Sequence, residues 1–473
     1  MRILTVNTTD SGGGAARIAM NLFLDYLSRG HDSWLSVGVK KSKHKRIIEI
    51  PNDIYRSKLA QFWLKTACLL SPWEKNIRGV WRLKQFITFF IGQNKRWMEK
   101  LRGYEDFDFP GSSHLLEQSP LKPHLLHFHN LHGNYFDLRL LPRLSQQLPV
   151  VLTLHDAWLL SGHCAHSFEC ERWKTGCGKC PDLTIYPAIY RDATSFNWER
   201  KRRIYSQSKL YISTPCSWLM DKVTNSILAP SIMNAKVIPN GVDLKVFYPG
   251  DKLSIRAKLG IPKESRVLLF AASGIRSNKW KDYNMLKTAI INSTNANKEK
   301  SLLIALGESG STEKIGNVIV QFVPYQHNRE VVANYYRAAD IYLHATKADT
   351  FPNTIIEALA CGTPVIATAI GGIPEQVKSI DVVQGKLLDG FANEEEATGI
   401  LIPKGDVDSM SKAIILLSGN DPLRTRLSEN AVLDVKKRFD LRIQAASYLD
   451  WYNFIITTYN NRILDFPKNQ YEI

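Results

Sequence analysis

No run of 18 consecutive apolar residues occurs in this sequence, so no part of it reads as a membrane-spanning helix. Cysteine is scarce, seven in 473 residues, which excludes a disulfide-stapled secreted scaffold. Acids are outnumbered: 45 Asp or Glu stand against 61 Lys or Arg, a formal charge of +16. Such a surface favours anionic partners, whether phosphorylated substrates, acidic lipid or nucleic acid. Low-complexity tracts and short-period repeats are missing as well, and 44% hydrophobic with 22% charged residues is the composition of a globular chain. At about 150 residues per domain the length suits two or three domains. The first apolar run, Ile3 to Val6, stops at Asn7, too short for a signal-peptide core, and the expected location is cytoplasmic.

What is present is an alternation of apolar strands and helical patterns. Residues 2–8 predict a strand, Ser11-Gly12-Gly13-Gly14 a glycine turn, and residues 15–30 a helix ending at Gly30. Further strands are expected at 33–39, 125–128, 150–154 and 210–212, and a second series at 267–271, 301–306, 318–322, 341–343 and 365–367. Two separate doubly wound α/β domains account for this order. The expected division is 1–220, 221–440 and a C-terminal helix, 441–473.

The densest local signal runs from Asp349 to Ala367. Pro352 suits a first helical turn, Gly362 the residue past the helix end, and Pro364 forbids continuation, so a short helix is predicted from near Phe351. The N–H groups of its first turn, over Phe351, Pro352, Asn353 and Thr354, would face the strand ends where a diphosphate is stabilised. Glu357, one turn inside, is placed to accept ribose hydroxyls. By local pattern alone an ordinary capped helix with a surface glutamate is the better fit.

Asp349-x7-Glu357 resembles the acidic pair of family 4 retaining glycosyltransferases, nucleotide-sugar enzymes of the GT-B fold, although the family usually has glutamate first. Asn240-Gly241-Val242-Asp243 with Phe247 and Gly371-Gly372-Ile373-Pro374-Glu375 resemble further elements of that family, in the same order. Arg276 and Lys281, five residues apart after a strand, match its basic pair, with Asp282 standing where glycine is common. The resemblance implies two Rossmann-like domains facing across a cleft and transfer of a hexose from a nucleoside-diphosphate sugar to a glycan with retention. Lys281 and Arg276 would then stabilise the departing diphosphate, on which negative charge grows, and Asp349 would hold the donor sugar. No divalent ion is required in that scheme, because the cations and the helix end do its electrostatic work.

In the N-terminal half, Gly13 and Gly14 resemble the family's glycine loop, where backbone approaches phosphate or acceptor closely. His155 directly follows the strand 150–154, a ligand-facing position, and the resemblance puts it beside the donor sugar and reaction centre; Asp156, next in the chain, is placed to orient its ring. His127 and His129 alternate on a strand and are expected to be satisfied core side chains. Cys164, Cys170, Cys177 and Cys180 crowd into 17 residues. A structural zinc site, reduced buried thiols and a disulfide are all compatible with that spacing. The stretch 154–181 resembles a subgroup linked to bacterial extracellular polysaccharide assembly, which does not decide the metal.

Residues 56–102 hold eleven Lys or Arg against Glu74 and Glu99, together with Trp63, Trp73, Trp81, Trp97, Phe62, Phe86, Phe89 and Phe90. That mixture suits the boundary between lipid headgroups and acyl chains, so peripheral attachment to the inner face of the plasma membrane beside a lipid-linked glycan acceptor is expected. Nucleic acid is not expected as a partner, since no zinc-finger, helix-turn-helix or ribonucleoprotein motif is found. Alternatives are another reaction of the same fold, such as an epimerase or phosphorylase, and a non-catalytic carbohydrate- or membrane-binding scaffold. Consumption of an acceptor, a need for phosphate, and nucleotide binding separate them.

Overall fold

The computed structural model describes residues 1–74, 76–296, 301–380 and 395–464. The chain divides into two compact units: Met1–Thr214, Leu219–Val237 and the chain from Ser447 make the first, and Pro215–Trp218 with Ile238–Ala446 the second.

The first unit is built on strands β1 (Arg2–Thr9), β2 (Asp32–Val39), β3 (Ile47–Glu49), β4 (Leu125–Phe128), β5 (Val150–Thr153), β6 (Leu210–Thr214) and β7 (Ile232–Val237). All neighbours are parallel, in the order β3-β2-β1-β4-β5-β6-β7. Parallel strands covered on both faces need near-continuous apolar runs. Accordingly β4 and β5 are buried along their whole length. Helix α1 (Gly14–Ser28) follows β1 through Gly12 and Gly13, at φ +82° and +52°, a backbone that glycine adopts at little cost. The strand order reverses between β1 and β4, so the loops leaving the carboxyl ends of β1, β4 and β5 form the ligand-facing edge of this sheet. Because β7 pairs with β6, this sheet continues past residue 220 to Val237.

Residues 441–464 form one helix. From Ser447 it packs in the first unit, where the Tyr448 hydroxyl bonds Thr153 Oγ1 (2.9 Å) and Ser213 Oγ (3.0 Å). The Tyr452 hydroxyl bonds His127 Nδ1 at 2.6 Å and the Tyr26 hydroxyl at 3.1 Å. His127, whose Nε2 also meets Thr153 Oγ1 at 2.6 Å, is therefore a fully satisfied core histidine.

The basic, aromatic segment includes the α-helices α2 (Lys58–Leu69), α3 (Val80–Phe86) and α4 (Asn94–Leu101). Leu59, Phe62, Leu69, Trp73, Trp81 and Phe86 are exposed on it. Lys75 and the Phe89 side chain lie outside what is described. No helix among the described residues is long and apolar enough to cross a membrane.

The second unit repeats the plan with β8 (Arg266–Ala271), β9 (Ser301–Leu306), β10 (Glu313–Ile315), β11 (Val318–Val323), β12 (Ile341–His344), β13 (Val365–Thr368) and β14 (Gly399–Ile402). Their order is β10-β11-β9-β8-β12-β13-β14, parallel except for β10. Leu268, Phe270, Leu303, Val320, Leu343, Ile366 and Ile400 belong to one buried core. Here the reversal falls between β8 and β12.

Candidate functional site

That reversal sets the loops leaving β8 and β12 side by side. Thr346 Oγ1 and Lys347 N both donate to the Trp280 carbonyl at 2.8 Å, and Asp282 N donates to the Ala345 carbonyl at 3.1 Å. This zipper delivers Lys281 to the end of β12, where its ammonium donates to Asp349 Oδ2 at 2.7 Å and to His344 Nε2 at 3.2 Å. His344 is fully buried, with Nδ1 3.2 Å from the Tyr342 hydroxyl. Burial and the Lys281 charge pull its imidazole down to about 4, so it is neutral near pH 7. Burial works to raise the Asp349 carboxyl, but the Lys281 charge and the His344 contact outweigh it and hold the group well below the usual carboxylate range. The product is an ammonium fixed between a carboxylate and a neutral imidazole at the carboxyl edge of a parallel sheet. His344, absent from the motifs above, ends strand β12, and a strand-end position is the signal that also marks His155. Asp282 has a local use: its Oδ1 accepts Met285 N at 3.3 Å, capping the helix Tyr283–Ala296.

The helix after β12 spans Asn353–Ala360, two residues later than the sequence predicts. Pro352 is its N-cap in extended conformation, φ −66° and ψ 123°, and no side chain caps the helix start. Two contacts draw the preceding residues out of the helix: the Pro352 carbonyl accepts Gln376 Nε2 at 3.0 Å, and the Phe351 ring packs edge-on against Phe439. Asn353 Oδ1 accepts Asn240 Nδ2 at 3.1 Å, and Thr354 follows in the first turn. Glu357 is only 3% exposed and its Oε2 accepts the Tyr336 hydroxyl at 3.4 Å, so it is not the surface glutamate that local pattern allows. At the far end Gly362, φ +72°, donates to Leu359 O and Thr363 N to Ala358 O, both at 3.0 Å, the paired bonds of a Schellman cap.

The Gly371-Gly372 turn seats the backbone of the acidic residue. A Cβ on Gly371 would stand 1.9 Å from the Asp349 carbonyl oxygen, and Gly372 N donates to the Thr350 carbonyl at 2.8 Å. Glu375 is spent on backbone, accepting Ser217 N at 2.8 Å and Trp218 N at 2.9 Å.

Arg276 is not part of the Lys281 cluster. Its guanidinium bonds Glu308 and the Ser309 carbonyl, reaches Glu313 at 3.4 Å, and lies over the Phe322 ring. The two cations five residues apart thus have separate carboxylate partners, and Glu308, which precedes them in no motif, is the residue that holds the first.

In the first unit, His155 Nε2 meets His129 Nδ1 at 2.9 Å with the rings stacked. Burial pulls His155 down to about 4, against the Asp156 charge, and pulls His129 well below its ordinary value. His129 is buried, as expected of a core side chain, but not fully satisfied: its Nε2 has no partner among the described residues. Asp156 orients a different ring from the one expected: its Oδ2 bonds His132 Nε2 at 2.7 Å, while Oδ1 accepts Trp158 N. Gly13 is the N-cap of α1 and Gly14 its first residue; a Cβ on Gly13 would meet nothing within 4 Å, so its positive φ, not crowding, accounts for the glycine.

Cys164, Cys170, Cys177 and Cys180 are free thiols lining, with His163, a cavity of about 30 Å³. His163 Nε2 lies 3.4 Å from Cys180 Sγ, and Cys177 Sγ accepts Gly162 N at 3.3 Å. Among the described residues no three His, Cys, Asp or Glu side chains are gathered to hold a metal ion. All four are of intermediate exposure.

Two Rossmann-like parallel-sheet domains are the plan of GT-B proteins. A solved structure of Anabaena Alr3699/HepE in complex with UDP and glucose matches with TM-score 0.58 and 16% identity, covering 96% of this chain and 99% of that one. More particularly, residues 251–434, within the second unit, match the family model described as glycosyl transferases group 1. WcaC of Escherichia coli (strain K12), named as a colanic acid biosynthesis glycosyl transferase, is 27% identical over 259 residues, 52% of this chain and 60% of its own. The D-inositol 3-phosphate glycosyltransferase of Saccharomonospora viridis is 29% identical over 244 residues, 49% of this chain and 52% of its own. The chain thus spans between half and two thirds of the length of these curated relatives.

Proposed function

We propose that the protein is a retaining hexosyltransferase that moves a sugar from a nucleoside diphosphate to a glycan in bacterial surface polysaccharide synthesis. The observation that carries this is the Lys281–His344–Asp349 cluster, which lies at the topological switch point of the domain matching group 1 glycosyl transferases. As the glycosidic bond breaks, negative charge grows on the leaving β-phosphate, and a pre-positioned ammonium stabilises it without reorganisation. Lys281 takes that role, and Arg276, carried on the same loop, supports it. The first-turn groups of Asn353 and Thr354, after Phe351 and Pro352, add helix-end N–H donors. Asp349 accepts hydroxyls of the donor sugar, Glu357 those of ribose, and His155 lies by the transferred sugar. Gly13 and Gly14 give the acceptor side a close backbone approach. HepE, a neighbour in fold, was solved with UDP and glucose, which makes a uridine donor the first to try. The acceptor is a lipid-linked glycan, reached from the membrane surface by the exposed aromatic and basic faces of α2 to α4. No divalent ion enters this scheme, and no zinc at the cysteines is part of it.

The test is thermal unfolding with UDP, GDP, ADP, CMP and dTDP and their sugar conjugates, without metal. A ligand bound only by the folded state at a hundredfold excess over Kd adds about 2.7 kcal/mol. A shift confined to one base and lost in Lys281→Ala is expected; no shift with any nucleotide in folded protein would sink the donor-site assignment.

A further inference from the structure

Strand β12 uses its two faces differently. Ile341 and Leu343 belong to the buried core of the second unit, while the alternate residues Tyr342 and His344 share the opposite face and bury a hydroxyl and an imidazole completely. Buried polar groups of native proteins are paired, and these two are paired with each other and with what lies on either side. His344 Nδ1 is 3.2 Å from the Tyr342 hydroxyl, and that hydroxyl also bonds the side chain of Thr354, in the first turn of the helix Asn353–Ala360. His344 Nε2 is 3.2 Å from Lys281 Nζ. Lys281, His344, Tyr342 and Thr354, from a loop, a strand and a helix, therefore form one continuous chain of hydrogen bonds.

The direction of that chain is set at its first link. An ammonium has three hydrogens and no lone pair, so Lys281 donates and His344 Nε2 accepts. Asp349 Oδ2, 3.5 Å from the same nitrogen, is itself taken by Lys281 at 2.7 Å. The imidazole is neutral, so its single hydrogen stands on Nδ1 and is donated to the Tyr342 oxygen. Burial raises the Tyr342 hydroxyl above its ordinary value and keeps it protonated. Having accepted from His344, it donates to Thr354 Oγ1. All the donors then point one way, and the Thr354 hydroxyl keeps its own hydrogen for a further acceptor. Linked hydrogen bonds polarise one another where the dielectric is low, so the positive charge at the head makes the hydroxyl at the tail a stronger donor.

We infer that His344 and Tyr342 are positioning residues that aim the Thr354 hydroxyl, as a side-chain donor of fixed direction, at the diphosphate that Lys281 meets from the head of the chain. The choice of ligand rests on the donor-site reading above; the direction of the chain does not. Two measurements on the full chain test it. Two-bond proton–nitrogen NMR of protein with isotope-labelled histidine, near pH 7 and without nucleotide, should show His344 protonated on Nδ1 and bare on Nε2, with His344→Asn identifying its signals. Calorimetric titration with UDP, or with whichever diphosphate of the panel shifts the wild type, should show a loss of about tenfold in affinity in Tyr342→Phe and in Thr354→Val, and no further loss when the two are combined. Thr354→Ser, which keeps the hydroxyl, should bind within about twofold of wild type. A proton on His344 Nε2, wild-type affinity in folded Tyr342→Phe, or losses that multiply in the double variant overturn the inference. A wild type that binds no nucleotide while His344 carries its proton on Nδ1 supports the chain and removes the donor-site reading instead.

Discussion

At the scale of residues, the charge states of four buried histidines set how the protein responds to acid. Burial, reinforced by the His155 ring in His127 and by the Lys281 charge in His344 and offset by Asp156 in His155, takes His127 to about 3 and both His155 and His344 to about 4, against an ordinary value of 6.5. The unfolded chain therefore binds these protons below about pH 6.5 while the native state refuses them until about pH 4, so stability must fall as pH drops through that window. Fully expressed, the gap is worth on the order of 3 kcal/mol for His155 and for His344 and about 5 kcal/mol for His127. His132 works the other way: burial lowers it, the Asp156 charge raises it further, and its contribution holds at low pH and fades as pH rises through its folded value. Asp349, held low by Lys281, loses its share only in stronger acid. Urea midpoints should therefore decrease clearly from pH 7.5 to pH 5; equal midpoints would contradict the buried neutral assignment of these rings.

At the scale of elements, two fastenings hold the candidate sites in place. Lys201, with its side chain fully buried on the helix Thr194–Ser206, donates to Glu105 Oε1, the Trp158 carbonyl (2.8 Å each) and the Ser161 carbonyl (3.0 Å). It ties the wall of a cavity of about 450 Å³ to the loop after β5. Lys201→Met strands a buried carboxylate and should cost about 3–5 kcal/mol in chemical denaturation. Adding Glu105→Leu should recover much of that loss, and a double variant as unstable as the single one would show that the packing, not the charge, matters. The second fastening is the Gly371-Gly372 turn. Gly371→Ala combines φ +58° with a methyl 1.9 Å from the Asp349 carbonyl oxygen, so the loop carrying Asp349 must move. A loss of about 2–4 kcal/mol is expected, from backbone strain and overpacking together, along with loss of the nucleotide thermal shift; an unchanged melting curve would refute the close approach.

At the scale of the whole molecule, the exposed aromatics of α2 to α4 and the surplus of basic residues between 56 and 102 make one surface of unusual character. Flotation with anionic liposomes should carry the full chain upward, and deletion of 56–102 should abolish it; equal flotation by the deletion variant would remove the membrane from the proposal.

The interior strands of both sheets were legible in the sequence because a parallel strand covered on both faces must be an apolar run, as Val150–Thr153 and Val267–Ala271 are. The four strands that were not legible, β3, β7, β10 and β14, are the edges of the two sheets. An edge strand is covered on fewer sides, so Ile232–Val237 mixes Asn234 and Lys236 into its run and Glu313–Ile315 is mostly charged. The sequence by itself, through spacing that resembles a family's, made Lys281, Asp349 and Glu357 expected site residues, and the structure joins Lys281 to Asp349. Only the tertiary structure decided which side chains they meet. Lys281 and Asp349 stand 68 residues apart and join because β8 and β12 are neighbours, which brings in His344 and leaves Arg276 to Glu308. Asp156 is given to His132 rather than to its chain neighbour His155 for the same reason: a side chain bonds whatever the sheet order places beside it, and sheet order is a property of the packed whole.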